Sequence, residues 1–158
     1  MATSDRRTFL TRAGAAAVLG GALATDAHAA GQTSKPEKEI ISGSPYPTFS
    51  RAVRYGDVVY VSGVLGQIPG SRDLASADFE GQARQAMENL KASVEAAGSS
   101  MDRVLKCSAF LTDQSDFATF NKIYVQYFPK DPPARSTVIV KALVVAGAKL
   151  EIDCVAAI

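Results

Sequence analysis

Three segments of this chain, residues 58–61, 104–111 and 136–143, are largely apolar on both of the faces that a β-strand presents in alternation. A strand of that kind has to be covered on both sides. Only two segments have the three- and four-residue apolar spacing of a helix that could do the covering. In residues 79–97, Phe79, Ala83, Ala86, Leu90, Val94 and Ala97 form one stripe, with Asp78 placed to cap its start and Gly98 to end it. In residues 115–128, Phe117, Phe120, Tyr124 and Tyr127 form a second stripe, stopped by Lys130-Asp131-Pro132-Pro133. Two helices can cover one face of a sheet and leave the other bare. With strands also at 49–53 and 149–156, the predicted order is ββαβαββ, an α+β domain whose mixed sheet carries both helices on one side. No internal repeat supplies a second sheet, so a closed homo-oligomer is expected to bury the remaining face.

The first 44 residues have a different character. Arg6-Arg7, Phe9-Leu10, the Ala/Gly/Leu run of residues 13–23 and Ala27-His28-Ala29 make a charged start, a short apolar run and an A-x-A cleavage site. The run is too short for a membrane span, and the paired arginines indicate a twin-arginine-type signal peptide over residues 1–29. Residues 30–44, rich in Gly, Ser, Pro, Lys and Glu, read as a flexible linker, and residues 45–158 as the folded domain. An exported, periplasmic protein with no membrane attachment after cleavage is expected.

Removing residues 1–29 changes which chemistries remain. They hold three of the 17 Lys+Arg and two of the 16 Asp+Glu, so 14 of each are left. A balanced chain makes no electrostatic case for nucleic acid as a partner. The single histidine, His28, leaves with the signal, which excludes histidine-based nucleophile systems and disfavours a zinc site. No metal and no cofactor is expected. Cys107 and Cys154 have no C-x-x-C spacing and read as buried apolar thiols.

Chemistry concentrates in residues 133–152, PARSTVIVKALVVAGAKLEI. They read as two strands joined by a Gly-containing turn, a hairpin that would bring Arg135 beside Glu151. Arginine offers a permanent cation with a planar fork of donors suited to a carboxylate, and glutamate can hold or move a proton. Alternation sends Glu151 to the face opposite Leu150, Ile152, Cys154 and Ala156, and puts Arg135 on one face with Thr137 and Ile139.

Pro133-Ala134-Arg135-Ser136-Thr137-Val138 followed by Leu150-Glu151-Ile152 resembles the signature of the RidA (YjgF/YER057c/UK114) family. Val61-Ser62-Gly63, Glu88-Asn89-Leu90-Lys91, Glu95-Ala96-Ala97-Gly98 and residues 116–121, DFATFN, follow in family order. The resemblance spans residues 49–158. It implies a chorismate-mutase-like fold, a homotrimer and ligand sites in the clefts between subunits. It further implies an enamine/imine deaminase that hydrolyses 2-imino acids to 2-keto acids and ammonia. By position, Arg135 would hold the substrate carboxylate with help from the Thr137 backbone, Glu151 would activate water, and Ser62, Gly63, Phe117 and Asn121 would line the pocket. Where many members carry a tyrosine, this chain has Phe49, with Tyr46 three residues earlier. A non-enzymatic carboxylate-binding protein on the same trimer is the alternative, and ribonuclease activity has the weakest support in a neutral, histidine-free domain.

Overall fold

The computed structural model describes residues 35–158. The signal peptide read over residues 1–29 and the first part of the linker lie outside them. Six strands form one sheet, β1 (Lys38–Ile41), β2 (Ala52–Tyr55), β3 (Val58–Leu65), β4 (Val104–Leu111), β5 (Ala134–Ile139) and β6 (Leu150–Ala157), in the order β1-β2-β3-β6-β4-β5. Two helices, α1 (Phe79–Ala96) and α2 (Phe117–Tyr127), pack on it. The α+β reading with a mixed sheet holds: β4 and β5 are parallel and every other pair is antiparallel.

Helix α1 forms where its local signals placed it. The Asp78 carboxylate accepts from the Gly81 N–H at 2.8 Å, which satisfies one of the donors a helix start leaves open. At the other end Gly98 takes φ +81°, and the Gly98 and Ser99 N–H groups donate back to Glu95 and Val94. Only a residue without Cβ adopts that turn without strain. The stripe of Phe79, Ala83, Ala86, Leu90 and Val94 is buried against Val59, Val61, Ile152 and Cys154 of the sheet.

Gln82, on the same helix, is fully buried and polar. Its amide donates to the carbonyls of Ser76 and Gly147 and accepts from the Lys149 N–H at 2.8 Å. These three bonds tie the approach to β6 onto α1 and so fix where Glu151 falls. A buried amide satisfied in this way rigidifies the strand entry.

Two expectations are corrected. The stretch read as a flexible linker contains β1, whose Ile40 and Ile41 pair with Val53 and Ala52, with Arg54 3.9 Å from the Glu39 carboxylate. The strand is only four residues long, with two β-branched residues, Ile40 and Ile41, and is masked in composition by flanking Gly, Ser and Pro. The first strand of the domain is therefore β1, and the strand expected at 49–53 starts later, at Ala52, leaving Phe49 and Ser50 in a loop.

The second correction matters more. Strands β5 and β6 are not a hairpin. A β4–α2–β5 crossover places β5 parallel to β4, as a helix-linked connection does, on the outer side of β4 at the edge of the sheet. β6 inserts between β3 and β4, antiparallel to both. The ten residues of 140–149 are long enough to carry the chain past β4.

The bare face is as expected. Opposite the helices the sheet shows Tyr60 on the interior strand β3 and Val138 on the edge strand β5, which keep 55 % and 47 % of their surface exposed, large values for side chains of this size and apolarity.

Candidate functional site

The sheet register separates the two residues expected to work together. Arg135 lies opposite Cys107 of β4 and Glu151 opposite Phe110 of the same strand. An odd spacing of three puts them on opposite faces, with β4 between them. Their Cα atoms are about two strand spacings, about 10 Å, apart across the sheet and about 10 Å apart along it. Within one protomer the predicted site residues fall into two groups.

The first group gathers around Arg135, on the helix face. One guanidinium nitrogen, Nη2, donates to Asn121 Oδ1 at 2.7 Å. The cation sits over the rings of Tyr124, Phe120 and Phe117, at 4.5, 5.1 and 5.8 Å from their centroids. Three rings and one amide oxygen hold the fork in a single orientation. The aromatic stripe of α2 therefore does two things: Phe120 and Tyr124 are core, and the same rings form the platform on which Arg135 rests. Thr137, two residues on, has a buried hydroxyl oxygen without a hydrogen-bond partner. The Tyr124 hydroxyl oxygen is likewise buried without a hydrogen-bond partner, and burial pushes its pKa far up, so it stays neutral. No carboxylate among the described residues pairs with Arg135.

The second group surrounds Glu151 and borders a cavity of about 530 Å³. Ser62, Gly63 and Phe49 line it with Glu151. Gly63 sits at the bulge of β3, where the pairing with β6 shifts between Val61 and Val64. A Cβ at Gly63 would collide with Glu151 Oε1, so glycine at this position is what lets the carboxylate lie there. Ser62 Oγ donates to the Ser50 carbonyl at 2.8 Å and its N–H donates to the Arg51 carbonyl, which clamps the loop of 49–51 onto β3. Burial, and next the charge of Asp153, push the Glu151 carboxyl above the ordinary glutamate range. A carboxylate raised in this way is a competent proton acceptor near neutral pH.

Several residues of the cavity were not anticipated. Tyr46 stacks on Phe49 with ring centroids 5.3 Å apart, and its hydroxyl accepts from Gln67 Nε2 at 3.1 Å. The hydroxyl absent from Phe49 is thus carried into the same space by its neighbour. Asn89 donates to the carbonyls of Leu65 and Gln67, and Arg51 donates from Nε to Ser93 Oγ at 3.0 Å. Arg51 lies in the loop before β2 and carried no periodic signal. Gln67 and Ser93 had none, since they meet the cavity only through the fold. Phe117, Asn121, Thr137 and Arg135 do not border the cavity.

Comparison with known proteins bears on the family and the fold. Residues 39–158 match the family described as Endoribonuclease L-PSP. The Reactive Intermediate Deaminase A of Arabidopsis thaliana chloroplasts is 39% identical over 127 residues, 78% of this chain and 67% of that protein. Protein DfrA of Myxococcus xanthus is 42% identical over 110 residues, 68% of this chain and 83% of its own. Among solved structures, RidA from the Antarctic bacterium Psychrobacter sp. PAMC 21119 superposes with a TM-score of 0.69 at 41% identity, covering 75% of this chain and 94% of that one. E. coli TdcF with bound serine gives 0.70 at 36% identity, covering 76% and 98%. With its signature residues, sheet order and a family match over three quarters of its length, the chain belongs to the Endoribonuclease L-PSP family, the RidA (YjgF/YER057c/UK114) family.

Proposed function

We propose that the protein is an enamine/imine deaminase that hydrolyses 2-imino acids to 2-keto acids and ammonia, in a site completed between protomers of a homotrimer. The observation that carries this reading is the separation just described: a fixed, carboxylate-free guanidinium on one face and a raised carboxylate beside a cavity on the other. Each is half of a site. The bare apolar face supports association of protomers, and association can bring the Arg135 group of one against the Glu151 group of the next.

In that arrangement Arg135 and the Thr137 backbone hold the substrate carboxylate, and Glu151 takes a proton from a water molecule whose oxygen adds to the C=N carbon. The π electrons pass to nitrogen, which gains a proton. Collapse of the resulting carbinolamine then breaks the C–N bond, releasing ammonia and the 2-keto acid. An imine is already electrophilic, so positioning and one proton-transfer group suffice. The Arabidopsis relative named a deaminase and the E. coli relative holding serine, an amino acid with a carboxylate like the expected substrate's, support the substrate class. The endoribonuclease description has less support here, because residues 35–158 contain no histidine and carry no excess of positive charge.

The test generates 2-iminopropanoate or 2-iminobutanoate in situ with an amino-acid oxidase and follows imine decay with and without the protein. Acceleration lost in Arg135→Ala and Glu151→Gln is the expected result. Acceleration that survives both removes the assigned mechanism, and 2-keto acid binding without acceleration leaves a carboxylate-binding protein. We also propose export by the twin-arginine route, on the strength of residues 1–29. Fractionation of a tagged precursor after changing Arg6 and Arg7 to Lys tests it.

A further inference from the structure

Arg51 is a cation in the Glu151 cavity that the chemistry above does not use. It opens into β2 from the clamped loop of 49–51 and is half-buried. Its Nε donates to Ser93 Oγ at 3.0 Å, and that oxygen, itself buried, donates to the Asn89 carbonyl at 2.8 Å. One edge of the guanidinium is therefore anchored on α1. The terminal nitrogens Nη1 and Nη2 have no hydrogen-bond partner among the described residues, and no carboxylate there lies within ion-pair distance. Arg54 and Arg84, by contrast, each meet a glutamate.

A permanently charged fork, anchored on one edge and unmatched on the other, borders the same cavity as Glu151. Phe49, Val64 and Val145 supply apolar wall between the polar groups. We propose that Arg51 anchors a second anion subsite, so that the cavity takes 2-imino acids bearing a carboxylate at the far end of a short side chain. The inference rests on the deaminase reading for its chemistry: Arg135 of one protomer takes the carboxylate next to the imine, and Arg51 of the other takes the distal one. Its location rests on geometry alone. A cavity of about 530 Å³ has room for a four- or five-carbon diacid.

The probes are stable product analogues, 2-oxoglutarate as the diacid and 2-oxobutanoate as the monoacid, titrated calorimetrically into the full protein, its Arg51→Met variant and its Arg51→Lys variant. A charge-assisted pair predicts that the ratio of diacid to monoacid affinity falls by about tenfold or more in Arg51→Met, with part of it regained in Arg51→Lys. An unchanged ratio, or equal loss for both acids, overturns the subsite. In parallel, the imines of glutamate and of 2-aminobutyrate are generated by oxidases, and the ratio of their kcat/KM values is expected to move in the same direction. Should the native protein accelerate neither imine, the deaminase reading fails while the titration still decides the subsite. Should Arg51→Met not fold, Arg51→Gln and Ser93→Ala serve: the first is expected to lower the ratio as Arg51→Met does, and the second, which frees the anchored edge, to lower it less.

Discussion

Arg135 and Glu151 lie on the same sheet, yet one is held and the other is left open. The guanidinium has three aromatic rings beneath it and an amide oxygen at 2.7 Å, so its direction is set before any ligand arrives. The carboxylate rests on Gly63 at the wall of a cavity, takes part in no ion pair among the described residues, and is raised by burial and by Asp153. A positioning group gains from being fixed, and a proton-transfer group gains from a shifted pKa in a partly dry space. On the proposed reading the two regions serve different tasks, and β4 keeps them apart within the chain.

That contrast is broken most directly by removing each group in turn. Glu151→Gln, nearly isosteric, is expected to lower kcat for imine hydrolysis by about 10²- to 10⁴-fold while 2-keto acid binding persists. Arg135→Ala is expected to act on KM as well, with kcat/KM down by about a hundredfold, because it removes the charge-assisted fork. Steady-state kinetics on in situ imines separates the two patterns. Equal effects on kcat and KM in both variants would show that the division of labour is wrong.

Mixing the two inactive variants sharpens the comparison further. If each site takes Arg135 from one protomer and Glu151 from its neighbour, subunit exchange between Arg135→Ala and Glu151→Gln proteins rebuilds intact sites. Random assortment in a cyclic trimer restores about one quarter of them. Activity near that fraction after co-refolding is expected, and none at all means that both groups act from one chain or that chains do not assemble.

The pH dependence reports the carboxylate alone. As a base, Glu151 works only when deprotonated, so kcat/KM rises with pH through its folded-state pKa. Because burial and the Asp153 charge raise that pKa, the acid limb is expected above the ordinary glutamate range. Asp153→Asn removes the smaller cause and is expected to move the limb to lower pH without returning it to the ordinary position, since burial is untouched. A limb that ignores Asp153→Asn assigns the titration to another group.

These residues also mark what a reader of the sequence could see. Helix α1 was legible to within a residue or two because its stripe, its Asp78 cap and its Gly98 stop are local. The bare sheet face followed from counting helices against two-sided strands. The pairing of β5 was not legible, since a Gly-containing connection between two apolar runs suggests a hairpin, whereas the β4–α2–β5 crossover that decides the matter is set by packing over thirty residues. The signature named the candidate site residues, but their distribution over two faces was hidden with the sheet order. Arg51 and Tyr46 lay in a stretch with no periodicity to interpret, and only the clamp of Ser62 on Ser50 and Arg51 reveals that they face the cavity.

Tyr46 provides the smallest and most discriminating perturbation. Its ring is held by Phe49 and by Arg72, whose guanidinium carbon lies 5.2 Å from the ring centroid, so Tyr46→Phe leaves the stack and the cation contact in place. What disappears is a hydroxyl bonded to Gln67, which keeps its other bond, to the Arg72 carbonyl at 2.8 Å. The stability cost is therefore expected to stay within about 1 kcal/mol, and the melting temperature should hardly move. If the hydroxyl also meets substrate in the Glu151 cavity, KM rises by about three- to tenfold with kcat nearly unchanged, the mark of one neutral hydrogen bond lost from binding. If kcat falls instead, the hydroxyl acts on the reacting water, and the open half of the site includes Tyr46 as well as Glu151.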